Sequence, residues 1–134
     1  MKCIDTTFMI DLLRGDENAQ KKAVDLEFED KVITTEICVF EIYYGIFNRK
    51  TKNTKSYIKK LNKFLDKLEV LPFDRKSSIR AAKIASELTK KGLEIGSHDC
   101  MIAGIAMTNG CNIIITDNTE HFKRINGLNV ETYS

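Results

Sequence analysis

Hydrophobic residues along this chain fall into two rhythms: short unbroken runs, and longer stretches in which they recur every three or four positions. The first pattern predicts strands buried on both faces and the second predicts amphipathic helices. The run from Lys2 to Asp5 is followed by Thr6 and Thr7, two helix N-cap candidates, and then by Phe8, Met9, Leu12 and Leu13 at helical spacing. A strand therefore feeds a helix, which Gly15 stops. Asp16 is placed to cap the next helix, Lys31 to Thr34 reads as a second strand, and Thr35 caps a helix from Glu36 to about Asn48.

A basic amphipathic helix is predicted over about Thr54 to Leu68, with Ile58, Leu61, Leu65 and Leu68 on one stripe and lysines opposite. The apolar run Val70 to Phe73 comes next. Asp74 caps a long helix that ends at Lys90, Lys91 and Gly92, a basic last turn with a glycine stop. Ser97 is expected to cap a helix running to Gly110. Asn112 to Thr116 forms a continuous apolar strand, and a turn through Phe122 leads to a weaker strand near Leu128 to Val130. Strands alternating with helices predict an α/β fold with a parallel sheet. At 134 residues, 43% of them hydrophobic, the chain is expected to form a single domain over 1–134.

Charge adds one feature that the periodicity lacks. The net charge is only +2, yet the segment Arg49 to Lys67 carries eight basic residues against the single acid Asp66. It holds +7 and leaves the remainder at −5. Four cysteines (Cys3, Cys38, Cys100, Cys111) sit in apolar runs without the spacing of a disulfide framework or a zinc site. Asp5 and Asp11 interrupt the first apolar stretch, which is unlike a signal peptide, and no apolar run approaches a membrane span. A cytoplasmic protein with no membrane association is expected.

Ligand sites of open parallel sheets lie beyond the carboxyl ends of the strands, so the acids at those ends are the ones to examine. Asp5 ends the first strand, Asp117 follows the strand Asn112 to Thr116, and Asp99 opens a helix with no other charge over Cys100 to Met107. Glu41 is a lone acid in ICVFEIYYGIF (Ile37 to Phe47), with no Lys or Arg three or four residues away on the same helix. A buried carboxylate there needs a metal or a distant cation. Each acid also has a purely structural reading. Asp5 could cap a helix, Asp99 could favour a helix dipole, Glu41 could pair with a lysine across the fold, and Asp117 or Asn118 could be turn formers. A joint set of carboxylates without a cysteine or histidine cluster selects Mg²⁺ or Mn²⁺, and phosphodiester hydrolysis is the matching chemistry.

Four motifs now resemble those of the PIN-domain ribonucleases, and within them the VapC-type toxins of toxin-antitoxin pairs: IDTTFMIDLLRG (Ile4 to Gly15), TTEICVFEIYYG (Thr34 to Gly45), GLEIGSHDCMIAGIA (Gly92 to Ala106) and IIITDNTEHFKRINGL (Ile113 to Leu128). The resemblance covers essentially the whole chain. It implies a three-layer fold with strand order 3-2-1-4-5, Asp5 and Asp99 as direct metal ligands, and Glu41 as a ligand or water-positioning acid. The Thr116 to Asn118 turn is then the fourth corner. Many relatives carry an acid two residues after that threonine, where this chain has Asn118 and places Asp117 one residue early; both stay candidates. The resemblance also implies an RNA substrate, homodimerisation and a cognate antitoxin. His98 and His121 receive no catalytic assignment, and Tyr43, Tyr44 and Phe47 read more readily as core than as base-stacking residues. The lysines at 52, 55, 59, 60 and 63 could track an RNA backbone or form a solvated face.

Two other classes are weighed against this reading. An aspartyl-phosphate phosphatase or receiver domain also puts an aspartate at a strand end, but Asp5-Thr6-Thr7 lacks the D-x-D of the first, and neither the early acidic pair nor the late lysine of the second is evident. A catalytically silent binding module would break the acid set, whereas Asp5, Glu41 and Asp99 are all present. A non-toxin RNA-processing nuclease would keep the chemistry and change only its biology.

Overall fold

The computed structural model describes residues 1–49 and 53–134. Lys50 and Lys52 of the basic segment lie outside the described residues. Five strands, β1 (Lys2–Ile4), β2 (Val32–Thr35), β3 (Glu69–Leu71), β4 (Ile113–Ile115) and β5 (Asn129–Glu131), form one sheet in the order β3-β2-β1-β4-β5. Every pairing is parallel, with Cys3 of β1 opposite Ile33 on one side and Ile114 on the other. The expected order 3-2-1-4-5 is thus observed. Parallel neighbours need crossovers, and helices supply them: α1 (Thr6–Leu13) and α2 (Glu17–Leu26) join β1 to β2, and α3 (Glu36–Asn48) and α4 (Thr54–Leu65) join β2 to β3. The helices α5 (Arg75–Lys90) and α6 (Ser97–Thr108) lead from β3 to β4, and the short α7 (Thr119–Phe122) precedes β5.

The short strands feed two apolar clusters. Cys3, Ile33 and Leu71 pack with Ile105 and Ala106 of α6, while Ile4, Ile114 and Ile115 join Phe8, Met9, Leu26, Ile42 and Leu61. All four cysteines are buried and unpaired. Among the described residues, no helix is long and apolar enough to cross a membrane.

Local signals account for most of the helix starts. Asp16, Thr35 and Asp74 cap α2, α3 and α5, accepting from the amides of Ala19, Cys38 and Ser77. Two starts differ from expectation. Asp5, not Thr6 or Thr7, caps α1 through the amide of Phe8, because the carboxylate at the end of β1 already reaches that amide. Gly96, not Ser97, precedes α6, and no side-chain oxygen caps it. The amphipathic α4 also stops three residues earlier than its stripe suggests, although Leu68 still packs on the core.

The winding direction of the sheet reverses at β1. The chain adds β2 and β3 on one side and β4 and β5 on the other, so the crevice past the carboxyl ends of β1 and β4 is the switch point where such sheets bind ligands. The partner layer α6 is held close to α5 at Gly104, where an added Cβ would lie 2.8 Å from both Ala81 Cβ and Ala81 N and 2.9 Å from the Ser77 carbonyl oxygen. Backbone atoms cannot give way as a flexible side chain can. Overpacking costs about 1–3 kcal/mol, which outweighs the roughly 1 kcal/mol that alanine contributes over glycine in a helix. Gly104→Ala is therefore expected to lower unfolding stability by about 1–2 kcal/mol in urea; a variant as stable as the parent would show that α5 and α6 do not approach this closely.

Candidate active site

Asp5 stands at the head of the crevice, at the junction of β1 and α1, and is only 2% exposed. One carboxylate oxygen accepts from the Phe8 amide (3.1 Å) and from Thr7 Oγ1 (2.8 Å), and the other accepts from Thr116 Oγ1 at 2.5 Å. The capping reading and the site reading of Asp5 are therefore compatible, since different donors are served by different oxygens. All three donors are neutral. Burial without a cation pushes the Asp5 carboxyl up to about 6; the Thr116, Phe8 and Thr7 hydrogen bonds oppose that rise, and the nearby charge of Asp99 adds to it.

The threonines bind the two loops of the switch point together. Thr116, fully buried after β4, donates to Asp5 and accepts from the Asn118 amide at 2.9 Å. Thr7 donates to Asp5 and accepts from the Asp117 amide at 3.0 Å. Thr7 meets Asp5 locally, but the contacts that join the two loops carry no local signal, because they link residues more than a hundred positions apart.

Asp99, in the first turn of α6, is reached from α7 and its approach. Its Oδ2 lies 2.9 Å from His121 Nδ1 and 3.4 Å from Asn118 Nδ2, and the latter two atoms are 3.2 Å apart. The corner left open between two residues thus divides clearly: the Asn118 amide meets Asp99, whereas the Asp117 carboxylate accepts from Ser134 Oγ at 2.9 Å. His121, unassigned from sequence, belongs to this constellation. Its one legible clue was proximity to the Thr116 to Asn118 turn.

Glu41 completes the rim from α3. Its side chain is 28% exposed, so it is not the buried charge that an all-apolar helix suggested. The helix leaves one face open, with Phe40, Tyr44 and Phe47 all more than half exposed, which corrects the reading of Tyr44 and Phe47 as core. Glu41 Oε1 accepts from Thr6 Oγ1 at 2.6 Å and Oε2 lies 3.4 Å from His98 Nδ1. Among the described residues its partners are thus a hydroxyl and a histidine, and none is the lysine of the structural alternative. His98 in turn packs edge-on against Phe40.

The site therefore presents two carboxylate–histidine contacts, Glu41 with His98 and Asp99 with His121, around a buried carboxylate held by hydroxyls. Among the described residues, no three His, Cys, Asp or Glu side chains already converge at metal-ligand distance.

Comparison with known proteins now adds to the geometry. The family model described as PIN domain matches residues 2–128. The chain is 28% identical over 131 residues to the tRNA(fMet)-specific endonuclease VapC of Shigella flexneri, covering 98% of this chain and 96% of that one. It is 31% identical over 138 residues to Ribonuclease VapC1 of Rickettsia felis, covering 98% and 95%. Among solved structures, VapBC2 of Rickettsia felis bound to a promoter DNA fragment superposes with a TM-score of 0.87 at 26% identity, covering 99% of this chain and 98% of that one.

The raised Asp5 pKa has a consequence for stability that needs no substrate. The folded protein holds this proton more tightly than the unfolded chain does, so the group's stabilising contribution is fully present below about pH 4 and is lost as pH rises to about 6. Asn caps a helix as well as Asp. In EDTA, Asp5→Asn should therefore gain about 1–3 kcal/mol over the parent at pH 7.5 and little at pH 4. Urea melts at both pH values check this, and a variant destabilised equally at each would refute the buried, uncompensated charge.

Proposed function

The chain belongs to the PIN-domain family, and on that premise we propose that it is a divalent-metal-dependent endoribonuclease of the VapC type, the toxin of a toxin-antitoxin pair. The observation that carries the reading is the buried Asp5 carboxylate, which has neutral donors on three sides and the Asp99 charge nearby. Two carboxylates close enough to raise one another's proton affinity, with no Lys or Arg contact among the described residues, call for a cation from outside the chain.

Asp5 and Asp99 are the residues that would hold Mg²⁺ or Mn²⁺, with Glu41 and Asn118 as further oxygen donors. Bound there, such an ion supplies neutralisation of the phosphodiester and acidification of the attacking water. Thr116 and Thr7 fix the Asp5 carboxylate so that it need not reorganise during the reaction. Glu41, held by Thr6 at one oxygen and beside His98 at the other, is the acid that would orient a water and accept its proton. Asn118 is preferred to Asp117 at the fourth corner because its amide already meets Asp99. His121 positions Asp99 from the outer side.

Two protein partners belong to this reading. VapBC2 of Rickettsia felis is solved bound to a DNA fragment from its promoter, and a cognate antitoxin is proposed here by analogy with such VapBC assemblies. A second copy of the chain is proposed to cover the exposed aromatics Phe40, Tyr44 and Phe47 of α3, since an apolar helix face of this kind is otherwise left to water. The cytoplasm, where the RNA is, is the proposed location.

Expression in a bacterial host and cleavage mapping of the extracted RNA test the activity. The parent should arrest growth and cut RNA in Mg²⁺ or Mn²⁺ and not in EDTA, and Asp5→Asn should lose both by a factor of about a hundred or more while staying folded. Retained toxicity in Asp5→Asn would overturn the proposal. At the fourth corner, Asn118→Ala should slow cleavage about tenfold or more and Asp117→Ala by less than about threefold; the reverse ranking would exchange their roles.

A further inference from the structure

Away from the acids, the carboxyl end of α1 meets α4 across a cleft of about 360 Å³ lined by Arg14, Lys60, Lys63 and Lys67, with Leu13 and Phe64 as its apolar wall. All four cations are exposed. Among the described residues, none of them has a carboxylate within ion-pair distance, whereas Lys2, Lys22 and Lys31 each do. Lys55 and Lys59, grouped with this stretch from sequence, do not line the cleft.

A helix carboxyl terminus favours a nearby cation, and both α1 and α4 end here. Each end carries only about half a negative charge, however, so the two together offset roughly one of the four positive charges. The remaining excess is mutual repulsion that an anion would relieve. Lys60, Lys63 and Lys67 follow one edge of α4 and its last turn at steps of about 4.5 and 6 Å along the axis. The anion they suit is therefore extended and repeating.

The same helix links this cleft to the acids. Asp5 caps the start of α1 and Arg14 its end, about 13 Å apart at 1.5 Å per residue. Among the described residues, no Lys or Arg contacts Asp5, Glu41 or Asp99, so the cations that hold a polyanion must lie to the side. An RNA strand carries a phosphate at every nucleotide across that span, while an acidic polypeptide carries charge only where its sequence places it. We propose that the Arg14, Lys60, Lys63 and Lys67 cleft binds the phosphate backbone of the RNA strand that is cut at Asp5; the inference rests on the ribonuclease reading above.

The test uses the full chain carrying Asp5→Asn, which binds without cutting, and a labelled single-stranded RNA of about 20 nucleotides followed by fluorescence anisotropy across a salt titration. One variant adds Arg14→Gln, Lys60→Gln, Lys63→Gln and Lys67→Gln; a control adds Lys76→Gln, Lys83→Gln, Lys90→Gln and Lys91→Gln on and just beyond α5, removing the same formal charge. Circular dichroism and thermal melting verify that both stay folded, as expected for exposed positions. The cleft variant should bind at least about tenfold more weakly, with a slope of log K against log salt shallower by about 3, and the control should shift the slope by less than about 1. Equal binding by the two variants would overturn the proposal. So would loss of a poly-glutamate peptide with RNA binding intact, which would make the cleft an acidic-polypeptide site. Cleavage of the same RNA by the Asp5 parent in Mn²⁺ reports separately on the nuclease reading, so either idea can fail while the other stands.

Discussion

A carboxylate buried to 2% exposure without a cation is the constraint around which this molecule is arranged. Left alone, such a group would take a proton or move to water. Here three neutral donors hold it in place: the Phe8 amide at the start of α1, Thr7 one turn away, and Thr116 from the far end of the sequence. Those hydrogen bonds oppose burial without cancelling it, and the Asp5 carboxyl remains near 6. The residual cost is what a cation would remove, and it is concentrated at the switch point of the sheet.

The sheet order makes that concentration possible. Placing β1 between β2 and β4 brings the β1–α1 loop and the β4–α7 loop side by side, although they are separated by more than a hundred residues. Close packing of α6 on α5 at Gly104 then brings the first turn of α6, with Asp99, to the same rim. Glu41 arrives on α3 directly after β2. Four segments of chain thus deliver four polar groups: three leave the carboxyl ends of β1, β2 and β4, and the fourth is the turn from α5 into α6.

Much of this was legible in the residues themselves. Unbroken apolar runs marked the strands, and Asp16, Thr35 and Asp74 announced their helices because a side-chain oxygen lies one residue before a helical period begins. Asp5 and Asp99 stood out as lone acids at element ends. What could not be read depends on distance across the fold. Thr7 was taken for a cap because the amide it receives, that of Asp117, becomes its neighbour only once β4 lies beside β1. His121 gave no sign of meeting Asp99, and the choice between Asn118 and Asp117 turned on the path of one loop, not on residue type. Glu41 was expected to be buried because its helix is apolar all round, yet a helix at the margin of the fold can keep an aromatic face open, and α3 does.

The central claim is that Asp5 and Asp99 share one divalent cation. Crystals soaked in Mn²⁺, with the anomalous signal of manganese mapped, test it without reference to RNA or to catalysis. The account predicts one peak at ligand distance, about 2.0–2.3 Å, from a carboxylate oxygen of both residues, with Glu41 or Asn118 near and water completing the shell. A map with no peak at this rim at saturating Mn²⁺, or with ions held by Asp5 and Asp99 separately, would contradict it.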